Sequence, residues 1–222
     1  MAAAFVRRLD PRLLRLVLVT DGQGDPARIE RIVREVVQAG VRCVQLRESQ
    51  LSARALMHLC ERLLPLLDDV QGLLLVNDRV DVAAARCAHG AQVGHRSLPP
   101  ALARQVLGPH AVLGFSAHEV AELDQAAEAQ CDFALLSPVW PTTSKPGAPA
   151  LGVTRAAHMT SRARLPVVWL GGADTAQLAQ LADVPAAGRP VGVAVRSAMM
   201  VAEQPGHAAA ELLRALSVLD AI

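Results

Sequence analysis

The strongest constraint on the fold is an alternation that recurs eight times along the chain. Short apolar runs, LRLVLVT (14–20), RCVQL (42–46), LLLV (73–76), AQV (91–93), AVLGF (111–115), DFALL (132–136), PVVWL (166–170) and VGVAV (191–195), are separated by longer Ala/Leu/Arg-rich segments. Continuous apolar runs of this length suit strands buried on both faces, as in a parallel sheet. The intervening segments carry helical patterns. In PARIERIVREVVQAG, Ile29, Ile32, Val33, Val36 and Val37 recur at the i, i+3, i+4 spacing of a helix packed on a sheet. Asp25 and Pro26 open that segment and Gly40 closes it, as capping chemistry requires. Helical patterns also fill 52–67, 80–88, 99–107, 119–130, 154–163, 175–182 and a tail from His207 to Leu219.

Eight strand–helix pairs predict a single (β/α)8 TIM barrel. A doubly wound open sheet is the rival, because alternation alone does not close a barrel. At 222 residues and 52% hydrophobic content the chain suffices for one such domain, spanning 1–222. Residues 1–12 form an N-terminal extension whose place before the first strand would let it plug the barrel floor.

Composition removes several function classes. A formal net charge of +1 with no basic runs argues against a nucleic-acid or membrane-surface partner. Aromatics make up 2% and tyrosine is absent, which argues against a base-stacking platform. Arginines interrupt the apolar start MAAAFVRRLDPRLLRLVLVT, so it lacks a signal-peptide core, and no apolar run reaches transmembrane length. Cys43, Cys60, Cys87 and Cys131 have no CxxC spacing and read as reduced thiols of a cytoplasmic protein.

In a barrel the active site gathers where strands end and βα loops begin. Those junctions carry Gln45–Leu46–Arg47–Glu48, Asn77–Asp78–Arg79, Gly94–His95–Arg96–Ser97, Ser116–Ala117–His118, Gly171–Gly172 and Arg196–Ser197. Cations, amides and hydroxyls converging at one end suit a phosphorylated, metal-associated ligand. Gly171–Gly172 with Arg196–Ser197 stand after the seventh and eighth strands, where backbone N–H groups commonly cradle a phosphate. Alone, Gly-Gly is also what a tight turn needs. Asp78 could hold Mg2+ and Asn77 a phosphate oxygen, although the pair would equally cap a helix. Gln45 and Arg47, two apart on a strand, point the same way. His118 could transfer a proton near neutral pH or simply start a helix. His58, His89, His110, His158 and His207 read as surface residues. The sixth strand runs into LLSPVWPTTSKPGAPALG (135–152), a proline-rich loop too long for a mere connector. It carries Thr142, Ser144 and Lys145, and Lys145 is the only lysine in the chain.

In order and spacing, VTD, VQLRE, LLLVNDRVDVA, SLP, SAH, LLSPVWPTTSKPGAPALG, PVVWLGG and VGVAVRSA resemble the thiamine phosphate synthase/TenI superfamily across roughly residues 14–200. The resemblance implies a closed (β/α)8 barrel that joins hydroxymethylpyrimidine diphosphate to a thiazole phosphate with Mg2+. Such an enzyme gives thiamine monophosphate and pyrophosphate. It implies diphosphate contacts from Gln45, Arg47, Asn77, Ser116 and Lys145, and a Mg2+ ligand in Asp78. It also implies a thiazole phosphate site made by Thr142, Ser144, Gly172 and Ser197, and it is compatible with a homodimer. Related TenI proteins are tautomerases that need no metal and use a histidine at the position of His118. A catalytically degenerate barrel that binds a thiamine precursor is the third alternative.

Two departures from the family pattern bear on activity. Ser49 stands where a second diphosphate lysine is expected, and Gly94–His95–Arg96–Ser97 lacks the aspartate expected as second Mg2+ ligand. On this reading Arg96 takes over part of the missing charge.

Overall fold

The computed structural model describes residues 9–142 and 149–220. Eight strands form one closed parallel barrel in sequential order. They are β1 (Leu16–Val19), β2 (Cys43–Leu46), β3 (Leu73–Asn77), β4 (Gly90–Val93), β5 (Val112–Ala117), β6 (Phe133–Leu136), β7 (Val167–Leu170) and β8 (Gly192–Val195). The ring closes through β1 and β8, with Leu16, Val17 and Leu18 paired to Val193, Ala194 and Val195. That closure excludes the open doubly wound sheet.

Strand alternation sorts the core into two layers. Val17, Val19, Cys43, Leu73, Leu75, Phe133, Leu135, Val168 and Ala194 fill the barrel. The alternate residues, among them Leu18, Val44, Val76, Phe115 and Trp169, face the helices. Between strands lie α1 (Pro26–Gln38), α2 (Ala53–Asp68), α3 (Val80–Ala84), α4 (Pro100–Leu107), α5 (Val120–Glu128), α6 (Val153–Arg162) and α7 (Thr175–Ala179). α8 (Ser197–Met200) and α9 (Pro205–Ala215) follow β8. On α1 the predicted stripe of Ile29, Ile32, Val33, Val36 and Val37 is buried, and the Asp25 side chain accepts from the N–H groups of Ala27 and Arg28.

The floor is shut from below. A short 3-10 turn, Pro11–Leu14, buries Leu14 completely, and Leu9 and Leu13 pack on the barrel-filling layer. Its backbone lies so close that a Cβ on Gly192 would stand 1.9 Å from the Leu14 carbonyl oxygen. The barrel is therefore open only at the C-terminal ends of its strands.

Some expectations shift. α3 stops at Ala84, because Arg86 takes a positive φ of 61° and turns the chain toward β4. The segment at 175–182 divides into α7 and a 3-10 turn, Gln180–Asp183. α8 was not expected. His89 is half-buried and held in place: its Nδ1 accepts from the Leu74 N–H at 2.9 Å and its Nε2 faces Asp68 Oδ1 at 2.9 Å. His58, His110, His158 and His207 are exposed.

Candidate active site

Two cavities meet at the open end of the barrel. The inner one, about 160 Å3, is lined by Gln45, Arg47, Asn77, Ser116 and Ser137 above an apolar base that includes Val19 and Leu135. The outer one, about 300 Å3, lies against Gly171–Gly172 after β7 and Arg196–Ser197 after β8. Thr142, Leu170, Gly171 and Arg196 line both. Two chambers with a common wall, each carrying polar groups on a largely apolar lining, suit two ligands that must touch.

Each inner side chain is set by its strand. The Arg47 backbone N–H donates to the hydroxyl of fully buried Thr20 at 2.8 Å, which anchors the end of β2 to the end of β1. The Arg47 side chain is exposed toward the mouth and makes no ion pair with a described residue. Its sequence neighbour Glu48 is buried and turned away, accepting from the N–H groups of Gly22 (3.1 Å) and Gly24 (2.8 Å). Gln45 donates from Nε2 to Asn77 Oδ1 at 2.9 Å, and its own Oε1 is buried without a partner. An orphaned acceptor in a ligand chamber calls for an N–H donor from the ligand, because leaving it unpaired costs about 1–3 kcal/mol. An amino-substituted heterocycle supplies such a donor. The side chain of Arg196, at the end of β8 and half-buried, likewise makes no hydrogen bond or ion pair with a described residue. Two arginine side chains without a described ion-pair partner at one mouth suit anionic ligands.

The outer chamber is built on backbone. Gly171 and Gly172 have φ of 109° and 67°, conformations that glycine adopts readily. They also admit the foot of the proline-rich loop, since a Cβ on Gly172 would stand 2.1 Å from the Pro141 carbonyl oxygen. That foot is hydrogen-bonded to the end of β7: Val139 N–H to Leu170 O at 2.9 Å and Trp140 N–H to Gly171 O at 3.1 Å. The indole of Trp140 donates to Gln180 Oε1 at 3.1 Å. The two glycines are thus needed for both turn and approach, and Thr142 is delivered to the shared wall. Ser144 and Lys145 lie outside the described residues.

Three predicted residues stand elsewhere. Arg96 is exposed and lines neither chamber. His118 lines neither chamber; its Nδ1 is 2.6 Å from the Ser137 carbonyl oxygen, an acceptor, so that nitrogen carries the proton. Its ring stacks at 5.2 Å on His95, which reaches Glu122 at 3.1 Å. Asp78 is exposed beside the inner chamber, with Asn77 Nδ2 donating to Oδ2 at 2.7 Å and the Ser97 hydroxyl bonded to Oδ1. Arg79 is taken by Asp81, whose carboxyl it holds below the usual range through a side-chain hydrogen bond.

These residues bear on Mg2+. The described residues hold no group of three or more His, Cys, Asp or Glu able to take a metal ion. Mg2+ commonly binds through one or two carboxylates, several waters and substrate phosphates. An exposed Asp78 beside the Ser97 hydroxyl fits an ion that arrives with a diphosphate. It does not fit one held by the protein alone.

Sequence reasoning passed over Thr20, Ser137 and Gln92. Thr20 and Ser137 end strands with a polar residue, which was a usable signal. Gln92 was hidden inside an apolar run, AQV, although alternation points its side chain into the barrel.

The arrangement has counterparts among known proteins. A family model described as thiamine monophosphate synthase matches residues 16–199. The thiamine-phosphate synthase of Vibrio campbellii is 36% identical over 203 residues, covering 90% of this chain and 96% of that protein. That of a Roseiflexus species is 37% identical over 207 residues, covering 91% of this chain and 86% of its own. Among solved structures, thiamine phosphate pyrophosphorylase from Pyrococcus furiosus superposes with a TM-score of 0.82 at 28% identity, covering 94% of this chain and 98% of that one. With its matching motifs, its closed barrel and this breadth of likeness, the chain belongs to the thiamine monophosphate synthase family.

Proposed function

We propose that the protein is a transferase that joins hydroxymethylpyrimidine diphosphate to thiazole phosphate, releasing pyrophosphate and forming thiamine monophosphate. The observation that carries this reading is the pair of chambers sharing Thr142, Gly171 and Arg196, one rich in amides with a cation, the other a glycine-lined backbone cradle. The inner chamber takes the diphosphate substrate: Arg47, Asn77, Ser116 and Arg196 face its oxygens, and Gln45 Oε1 accepts from the pyrimidine amine. The outer chamber takes the thiazole phosphate on Gly172 and Ser197. Lys145 and Ser144 are assigned to the loop side of the two anions from the resemblance.

In the reaction the bond between the pyrimidine methylene carbon and the diphosphate oxygen breaks, and its electron pair leaves with pyrophosphate. The thiazole nitrogen lone pair forms the new bond to that carbon. No proton is transferred, so no general base is required. What the chain supplies is position and charge: two held reactants replace a chance encounter, and Arg47 and Arg196 stabilise the charge that grows on the leaving group. Mg2+, brought with the diphosphate and held by Asp78, would neutralise part of that same charge. A tautomerase of the related kind would use a histidine as its acid–base group, and among the described residues no histidine lines either cavity; Asp174 is the one carboxylate among the described residues that line the outer one.

The test is a turnover assay with both substrates, reading thiamine monophosphate by fluorescence after oxidation. Product is expected with the native chain and is expected to fall at least a hundredfold, on the order of one lost oxyanion donor, in Arg47→Met. A folded protein that forms no product at high enzyme concentration would overturn the assignment.

A further inference from the structure

Gln92 is 1% exposed inside the barrel, where strand alternation would normally place an apolar side chain. Its Nε2 donates to Ser116 Oγ at 3.0 Å, while its Oε1 has no partner. Room for it is made on purpose across the sheet. Gly114 is its register partner on β5, and a Cβ there would stand 2.0 Å from Gln92 Oε1 and 2.4 Å from the Phe133 ring. A buried amide with an orphaned oxygen, housed by a glycine, is an expensive way to fill space that a leucine would fill better.

The same device occurs once more in the barrel. Gln45 pairs in register with Leu75 and donates to Asn77, two residues further along β3. Gln92 pairs with Gly114 and donates to Ser116, two residues further along β5. In both cases an interior glutamine grips a polar residue that lines the chamber; Gln45 also lines it, whereas Gln92 lies below.

We infer that Gln92 is a positioning residue which fixes the direction of the Ser116 hydroxyl proton. A serine hydroxyl has one donor and two acceptor lone pairs. The Gln92 N–H occupies a lone pair, so the single O–H must be donated elsewhere, and Ser116 faces the inner chamber. The proton is thereby held toward an oxygen of the bound anion before the anion arrives. Without Gln92 the hydroxyl turns freely, and part of the hydrogen bond's benefit is lost to ordering it. Gln92 touches no ligand itself; it acts through Ser116.

This inference rests on the inner chamber being the diphosphate site, and the test separates the two. Binding of inorganic pyrophosphate with Mg2+ is measured by calorimetry for the native chain, Gln92→Met, Ser116→Ala and the double variant. Methionine matches glutamine in shape and removes the orphaned oxygen, so thermal stability is expected to hold or rise. Gln92→Leu serves the same cycle if methionine does not fold. The expected weakening is about threefold for Gln92→Met and about tenfold for Ser116→Ala, with the double variant no worse than Ser116→Ala, as for two residues acting in series. KM for the diphosphate substrate should follow the same pattern. Independent losses, giving about thirtyfold in the double variant, or native affinity in Gln92→Met would overturn the positioning role alone. Failure of the native chain to bind pyrophosphate would overturn both this role and the diphosphate assignment.

Discussion

Replacing Arg196 with methionine should weaken two ligands at once. Arg196 lines both chambers, and its side chain makes no hydrogen bond or ion pair with a described residue. Its removal therefore breaks nothing described in the folded protein, and stability should stay within about 0.5 kcal/mol of native. The ligands lose more. A hydrogen bond from an arginine to a charged oxygen contributes about 1.5–3 kcal/mol, and a half-buried side chain at a wet mouth belongs at the lower end. About 1.5 kcal/mol per anion is roughly tenfold in each dissociation constant. Charge accumulates on the diphosphate as its bond to carbon breaks, so kcat should fall further, on the order of a hundredfold. Calorimetry with pyrophosphate and with thiazole phosphate, measured separately, reads the first effect, and steady-state kinetics the second. Arg47→Met is the contrast: Arg47 lines only the inner chamber, so thiazole phosphate affinity should survive. If Arg196→Met weakens one anion only, or neither, the shared wall is not a shared cation and the two-chamber argument fails.

Other expectations follow from single observations. Mg2+ alone should give no binding heat, but should bind when pyrophosphate is present, since Asp78 is its one carboxylate among the described candidates; tight binding of Mg2+ by itself would contradict this. Native protein should yield one thiol to Ellman's reagent, Cys87, because burial pushes Cys43, Cys60 and Cys131 up to about 12. Those three thiols titrate earlier in the unfolded chain than in the folded one. The unfolded state thus binds fewer protons above about pH 9, and stability measured in urea should fall as pH rises through 9–12. His89→Ala should lower stability by about 1–3 kcal/mol, because it leaves the Leu74 N–H without its acceptor; an unchanged urea midpoint would show that water replaces the ring.

The barrel was legible because its physics is local. Each strand is a short apolar run, and the long helix α1 carries its own stripe and its own caps, Asp25 and Gly40. The site was legible to the extent that polar residues end strands: Gln45, Arg47, Asn77, Ser116, Gly171 and Arg196 all line a chamber. What escaped depends on contacts between distant segments. Nothing near His118 indicates that its ring meets the Ser137 carbonyl nineteen residues on. Nothing near His89 indicates that Leu74 and Asp68 enclose it. Arg96 is exposed after β4 and lines neither chamber, so its suggested role as a substitute cation rests on the sequence alone. Gln92 was concealed by its apolar neighbours, and only the pairing with Gly114 shows why a polar group sits there.

Leu14, pressed against Gly192 beneath the barrel, also governs traffic. With the lower end sealed and the interior filled by Phe133, Leu73 and Val168, the inner chamber is a dead end. Whatever enters it must leave by the same door. Pyrophosphate departs along the route by which the next diphosphate arrives, so the by-product and the incoming substrate compete for one passage.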